Sequence, residues 1–143
     1  MNTDQIDRAI RPRCKHFHGV YAANRLPRLF QKDLPSFIVA NLDPSHKPGS
    51  HWVSIYIDSS RTGYYFDSFG CPPPILFRRY LDKYCISWTY NKRVLQSYLT
   101  YYCAHFVVYF VLELCLGNFK LFDVFDSINN DLFVHEYSCK LFK

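Results

Sequence analysis

No stretch of this sequence reaches the roughly eighteen uninterrupted apolar residues that a membrane-spanning helix requires, so membrane insertion is not expected. Its opening stretch, MNTDQIDRAIRPRCKHFHGVYAANRLPRLF, interleaves charges with apolar positions and has no continuous hydrophobic block, which argues against classical secretion. Glycine is scarce, with 5 among 143 residues, and proline numbers 8, so neither a fibrous repeat nor a disordered low-complexity chain fits. Internal repeats and linker-like stretches are missing as well. Acidic residues are outnumbered, 12 against 17 lysines and arginines, leaving a formal charge of +5.

What the chain does have is apolar substance. Hydrophobic residues make up 49% and aromatics 19%, enough to bury a real core in one domain spanning residues 1–143. Six cysteines (14, 71, 85, 103, 115 and 139) lie at wide spacings, and an aromatic core makes staples unnecessary. They are expected to be mostly reduced, in a cytosolic or nuclear setting. Basic residues concentrate at Arg8, Arg11, Arg13 and Lys15, and again at Arg78, Arg79, Lys83, Lys92 and Arg93. That pattern suits salt-sensitive attraction to nucleic acid or acidic partners, and equally a solvated basic face.

The periodicities outline an α+β fold. Residues 4–10 suit a short helix, followed by an irregular opening segment punctuated by Pro12, Gly19, Pro27 and Pro35. SFIVANL (36–42) reads as a buried strand and DPSHKPGS as a loop. WVSIYID (52–58) alternates with period two, and GYYFDSFG (63–70) completes an antiparallel hairpin with it. PPPILFRRYLDKYC starts a helix behind its prolines, and ISWTYN (86–91) suits an edge strand. Residues 103–116 are apolar all round, as a helix at the centre of a domain must be, with Gly117 as its stop. Short helices are expected at 119–125 and 128–138.

Cys103 opens that central helix. A thiol reacts as its thiolate, which a helix N-terminus stabilises through its dipole and its uncommitted N–H groups. Cysteine chemistry on a carbonyl further needs a base, a group to orient the base, and donors for the developing oxyanion. His51 stands just before one strand of the hairpin, and Asp67 near the end of the other is in reach of its Nδ1. Gln96, seven residues ahead of Cys103, can bring an amide to the helix mouth. A rival zinc site from Cys14, His16 and His18 has no convincing fourth ligand. His105 is assigned to packing or a surface contact.

GSHWVSIYID, YYFDSFG, LQS and YYCAHFVVYF together resemble the adenovirus-type cysteine endopeptidases (adenain), especially relatives encoded by Polinton or Maverick elements and similar DNA viruses, within the wider clan of ubiquitin-like-protein proteases. The likeness runs from about Gly19 onward and takes in GVYAANRLP and SFIVANLDPSHKPGSHW. It implies a central, mostly antiparallel sheet packed against helices, with the nucleophile on a buried helix. It implies His51 as general base, Asp67 as its orienting carboxylate, Gln96 as oxyanion donor, Cys103 as nucleophile and Trp52 beside the substrate.

The chemistry so implied needs no cofactor. Family members are assisted by DNA and by a viral peptide joined through a disulfide, and Cys85 matches the position of the cysteine that takes the peptide, although a half-buried structural cysteine explains it equally. Protein substrates would be capsid and core precursors cut after small residues such as glycine, in the host nucleus or cytoplasm or inside a virion, by a monomer. The alternatives are a non-catalytic module of the same fold that binds a ubiquitin-like tail or DNA, or a deubiquitinase or ubiquitin-like-protein protease. Three departures from the family pattern stand out: Ala104 where glycine is usual, Asn24 in the opening motif where aspartate is usual, and a shorter chain.

Overall fold

The computed structural model describes residues 1–43, 51–97, 101–123, 125 and 130–142. Helix α1 (Thr3–Ile10) starts at Asn2, whose side chain accepts from the Gln5 backbone N–H while the Gln5 side chain accepts from the Asn2 N–H. This reciprocal cap satisfies two donors that a helix start would otherwise leave bare. Strands β1 (Phe17–Tyr21), β2 (Ser36–Asn41), β3 (Trp52–Ile57), β4 (Thr62–Phe66) and β5 (Ser87–Tyr90) form one sheet in sequence order. The central pairings, β2 with β3 and β3 with β4, are antiparallel, and the two outer pairings are parallel. Helix α2 (Ile75–Tyr84) connects β4 to β5; α3 (Cys103–Cys115) and α4 (Asn130–Lys140) follow.

Strand alternation divides the hydrophobic residues between two faces. Phe37, Val39 and Phe66 look toward α1, α3 and α4 in one cluster, whereas Ile38, Ala40, Val53, Ile55, Ile57 and Tyr65 pack with Phe77, Tyr80 and Leu81 of α2 in the other. The sheet is therefore sandwiched, with the central helix on one side and α2 on the other. Helix α3 is buried along nearly its whole length, from Cys103 and Ala104 through Phe106 to Leu112. Its Phe110 ring stacks on Phe66 of β4 with centroids 4.6 Å apart. Burial of each such ring contributes about 1.5–3 kcal/mol, which explains why a helix without side-chain capping at either end is held firmly.

The sequence reading anticipates most of these elements, with three corrections. Phe17–Tyr21 is a strand, not irregular segment; Gly19 marks a bulge in its pairing with β2 rather than an end of structure. The described residues of 119–125 form successive hydrogen-bonded turns (Asp123 N–H to Lys120 O, Phe125 N–H to Phe122 O), not a helix. Cys14 and Cys115 are joined in a disulfide that ties the end of α1 to the end of α3, while Cys71, Cys85, Cys103 and Cys139 are free thiols. The Pro44–Ser50 portion of the expected DPSHKPGS loop, and residues 128 and 129 of the last expected helix, lie outside the described residues. No helix among the described residues is long and apolar enough to cross a membrane.

Candidate active site

The β3–β4 hairpin brings the two ends flanking it together. His51 precedes β3, Asp67 follows β4, and His51 Nε2 donates to Asp67 Oδ1 at 2.7 Å. A carboxylate can only accept, so Nε2 carries the proton and Nδ1 remains for the sulfur of Cys103, with which the ring is also hydrogen-bonded. The sequence reading has Asp67 reaching Nδ1; the ring presents its other nitrogen. Side-chain exposure is only 12% for His51 and 4% for Asp67, so the pair works at a low effective dielectric.

Asp67 is itself fixed. Its backbone N–H donates to Asn91 Oδ1 at 3.0 Å, and Asn91 Nδ2 donates back to Asp67 O at 2.6 Å. Its Oδ1 also accepts the Phe69 N–H at 2.8 Å. The chain then turns at Gly70 (φ +69), where a Cβ would lie 2.9 Å from backbone atoms of Lys92 and Arg93. Only glycine permits this approach between the β4 turn and the segment leading to Gln96.

Gln96 is 3% exposed. Ser68 Oγ donates to its Oε1 at 2.6 Å, and Ser68 O accepts the N–H groups of Leu95 and Gln96 at 2.8 and 3.0 Å. With the oxygen end of the amide committed to a hydroxyl, its NH₂ end is the end that can donate to a substrate oxygen. The same segment is held from the far side by α4, where Asn130 Nδ2 donates to Leu95 O at 3.1 Å and Asp131 accepts the Ser97 N–H at 3.1 Å. Ser68, Asn91 and Phe69 were not singled out from the sequence. Asp-Ser-Phe-Gly directly after a strand was the available signal for two of them, whereas Asn91 acts across the sheet and left none.

The electrostatics favour an ionised sulfur. Burial alone would raise the Cys103 thiol, but hydrogen bonding to His51, backbone N–H groups of Trp52 and Ala104 directed at the sulfur, and the charge of the imidazole together bring it below its ordinary value. For His51, burial opposes protonation, yet the bonds to Asp67 and Cys103 prevail and raise it to about 9. Each partner stabilises the charged form of the other. The arrangement can therefore hold a thiolate beside an imidazolium, and it can move a proton between Nδ1 and a leaving group.

Of the remaining residues singled out from sequence, Trp52 lies beside the sulfur and the others fall elsewhere. Trp52 is half-buried against the central-helix cluster, and its backbone faces the sulfur. Cys85 is buried at the end of α2, its sulfur filling the space above Gly63, where any Cβ would collide with it. Burial, only partly opposed by Arg61, pushes its thiol up to about 11, which disfavours the thiolate that disulfide exchange with a peptide would need. Cys14 is taken up by its disulfide and His18 Nδ1 pairs with Tyr21 Oη at 2.6 Å. Among the described residues no group of three or more His, Cys, Asp or Glu could hold a metal ion. His105 packs between the rings of Tyr102 and His135, at 5.0 and 5.5 Å, and burial lowers it to about 4.

A mixed five-stranded sheet sandwiched between helices, with a cysteine opening the central one, defines the α+β class to which the chain belongs. No protein-family model matches the sequence, and no curated protein matches it. Among solved structures, the chain is similar to the selenomethionyl ASFV pS273R protease, with a TM-score of 0.57 and 18% identity. The superposition covers 75% of this chain and 44% of that one, so the two share a fold while this chain spans less than half the length of its neighbour.

Proposed function

We propose that this chain is a cysteine endopeptidase with Cys103 as nucleophile, His51 as general acid and base, Asp67 as the group orienting His51, and Gln96 as oxyanion donor. The observation that carries the reading is a single imidazole hydrogen-bonded to both Asp67 and Cys103 at the mouth of a buried helix. Fold similarity to a protease supports it.

In the proposed reaction the Cys103 thiolate attacks the scissile carbonyl carbon, and the carbonyl π electrons move onto oxygen. The Gln96 amide and the Cys103 backbone N–H, which lies in the helical turn without intrahelical partners, stabilise that oxyanion. As the tetrahedral intermediate collapses, the C–N bond breaks and His51 gives its proton to the departing amine. Water then loses a proton to His51 and adds to the thioester; the carboxylic product leaves and the thiolate–imidazolium pair is restored. Ala104 adds one methyl group where the family pattern has glycine, which slightly crowds the oxyanion side and favours small residues before the cleaved bond. Capsid and core precursor proteins of a virus or mobile element are the substrates that the sequence resemblance suggests.

Thiol mapping tests the assignment. Iodoacetamide treatment across pH, with labelled peptides quantified by mass spectrometry, is expected to show Cys103 alkylated at lower pH than Cys71, Cys85 and Cys139, and His51→Ala is expected to remove that advantage. Equal reactivity of all four free thiols would overturn the enzyme reading and leave a non-catalytic binding module of the same fold.

A further inference from the structure

On the face of the sheet opposite α3, helix α2 carries a second surface with a consistent chemistry. Two adjoining hollows, each of about 280 Å³, lie along it and share Lys83 in their walls. One continues past Arg79 and Leu76 and the other past Arg61, Leu34 and Phe30. Leu76 and Phe30 are unusually open for large apolar side chains, 49% and 57% exposed. Among the described residues, every charged side chain in the two walls is a cation. Asp82, the one acid within α2, lies outside them and is engaged by Trp88 Nε1 at 2.8 Å. Among the described residues no carboxylate forms an ion pair with Arg61, Arg79 or Lys83. Arg61 is in addition held in place by donating to the carbonyls of Tyr84 and Lys83 at 3.1 and 3.4 Å.

Cations without a carboxylate partner, set between hollows walled by leucine and aromatic side chains, form the negative image of a segment that alternates apolar and acidic side chains. Leu76, Arg79 and Lys83 occupy one side of the helix, at spacings that stack one above another. In an extended peptide, side chains two residues apart share a face about 7 Å apart, which lets one apolar side chain enter each hollow while the acid between them meets Lys83. We propose that this α2 surface docks an extended acidic peptide segment of the pattern apolar–x–acid–x–apolar, on the face of the sheet opposite α3. Three cations interrupted by leucine and phenylalanine make a poor track for a nucleic-acid backbone, which needs successive phosphate contacts. Docking here is independent of bond cleavage and stands or falls apart from the proposed protease activity.

Fluorescence anisotropy tests it, using the full chain and a fluorescein-labelled Glu-Leu-Ser-Glu-Ser-Leu-Glu peptide, with a control in which lysine replaces every glutamate. The acidic peptide is expected to bind, with affinity that falls as salt rises, and the lysine control is not. Arg79→Glu combined with Lys83→Glu is expected to weaken the acidic peptide at least about tenfold and to confer binding on the lysine control. Both positions are solvent-facing, and an unchanged circular-dichroism melt of the double variant establishes that it is folded. Leu76→Ser, which keeps every charge, is expected to weaken the acidic peptide as well. Undiminished binding by the charge-reversed variant, or no acidic-peptide binding by the wild type, overturns the proposal. So does displacement of the peptide by an equimolar single-stranded oligonucleotide, which would make the surface a general polyanion site.

Discussion

The ring of Phe69 lies against the ring of His51, with centroids 4.9 Å apart and planes 22° from parallel, and the Phe69 N–H binds the same Asp67 oxygen that accepts from His51. One residue thus buttresses both members of the pair, the imidazole through its side chain and the carboxylate through its backbone. Phe69→Ala keeps the backbone bond and removes the buttress. Its kcat is expected to fall about tenfold, since misorientation of a general base costs part of the 10²–10⁴-fold that such a base contributes. Phe69→Tyr, which keeps the stack, should restore the rate in the same peptide-cleavage assay.

Asp67→Ala removes the acceptor from His51 Nε2 and is expected to lower kcat/KM by about 10²–10⁴-fold. Asp67→Asn retains an oxygen acceptor without the charge and should fall between this variant and wild type. The charge has a separate signature: in Asp67→Asn, His51 loses its proton at lower pH than the value of about 9 that it has beside the carboxylate.

A rate profile against pH follows from the two ionisations. Activity should rise as Cys103 loses its proton, at a pH below that of an ordinary thiol, and decline as His51 deprotonates near 9. In His51→Ala the burial that raises the thiol persists while the opposing hydrogen bond and charge are gone, so the alkylation midpoint of Cys103 moves upward.

In the proposed reaction Ser68 would act on the oxyanion only through Gln96, to which its hydroxyl donates. Gln96→Ala is expected to cost about 10²–10³-fold in kcat, as loss of one oxyanion donor does elsewhere, with little change in KM. Ser68→Ala frees the amide to rotate and should cost less. Combining the two should add nothing to Gln96→Ala, a non-additivity that a double-mutant cycle reads directly.

Removing the disulfide by Cys14→Ser and Cys115→Ser is expected to lower unfolding stability by about 2–5 kcal/mol, measured by guanidinium denaturation. The loop it closes spans 101 residues of sequence separation, and the chain-entropy argument gives such long closures the larger effect.

Much of this architecture was legible because it obeys short-range rules. The period-two run Val53, Ile55, Ile57 reads as a two-faced strand and the mostly apolar run 103–116, long for one strand, reads as a central helix, and the hairpin that carries the chain from β3 to Asp67 follows from a short polar turn. His51, Asp67 and Cys103 were nameable for the same reason, since each sits at the end of a readable element, while Gln96, in the connection between β5 and α3, was named from its spacing ahead of Cys103. What escaped depends on long-range pairing. β1 is a strand because β2 lies beside it, and Gly19 within it resembles a break when read locally. Asn91 holds Asp67 across 24 positions of sequence, and Cys14 reaches Cys115 across the whole α3 cluster. The nitrogen that faces the sulfur could not be read at all, because it depends on the angle at which the ring enters from the strand.

Helix α3 begins at a free thiol, which the proposed reaction needs reduced, and ends at a sulfur that is oxidised. Dithiothreitol, the customary safeguard for thiol enzymes, would therefore protect the first while cutting the second, and an assay run in it would record a loosened molecule. Purification without reductant carries the opposite hazard, silencing the proposed nucleophile through peroxide or adventitious metal. Chelator, anaerobic handling and a brief, titrated reduction followed by desalting would preserve both ends of the same rod.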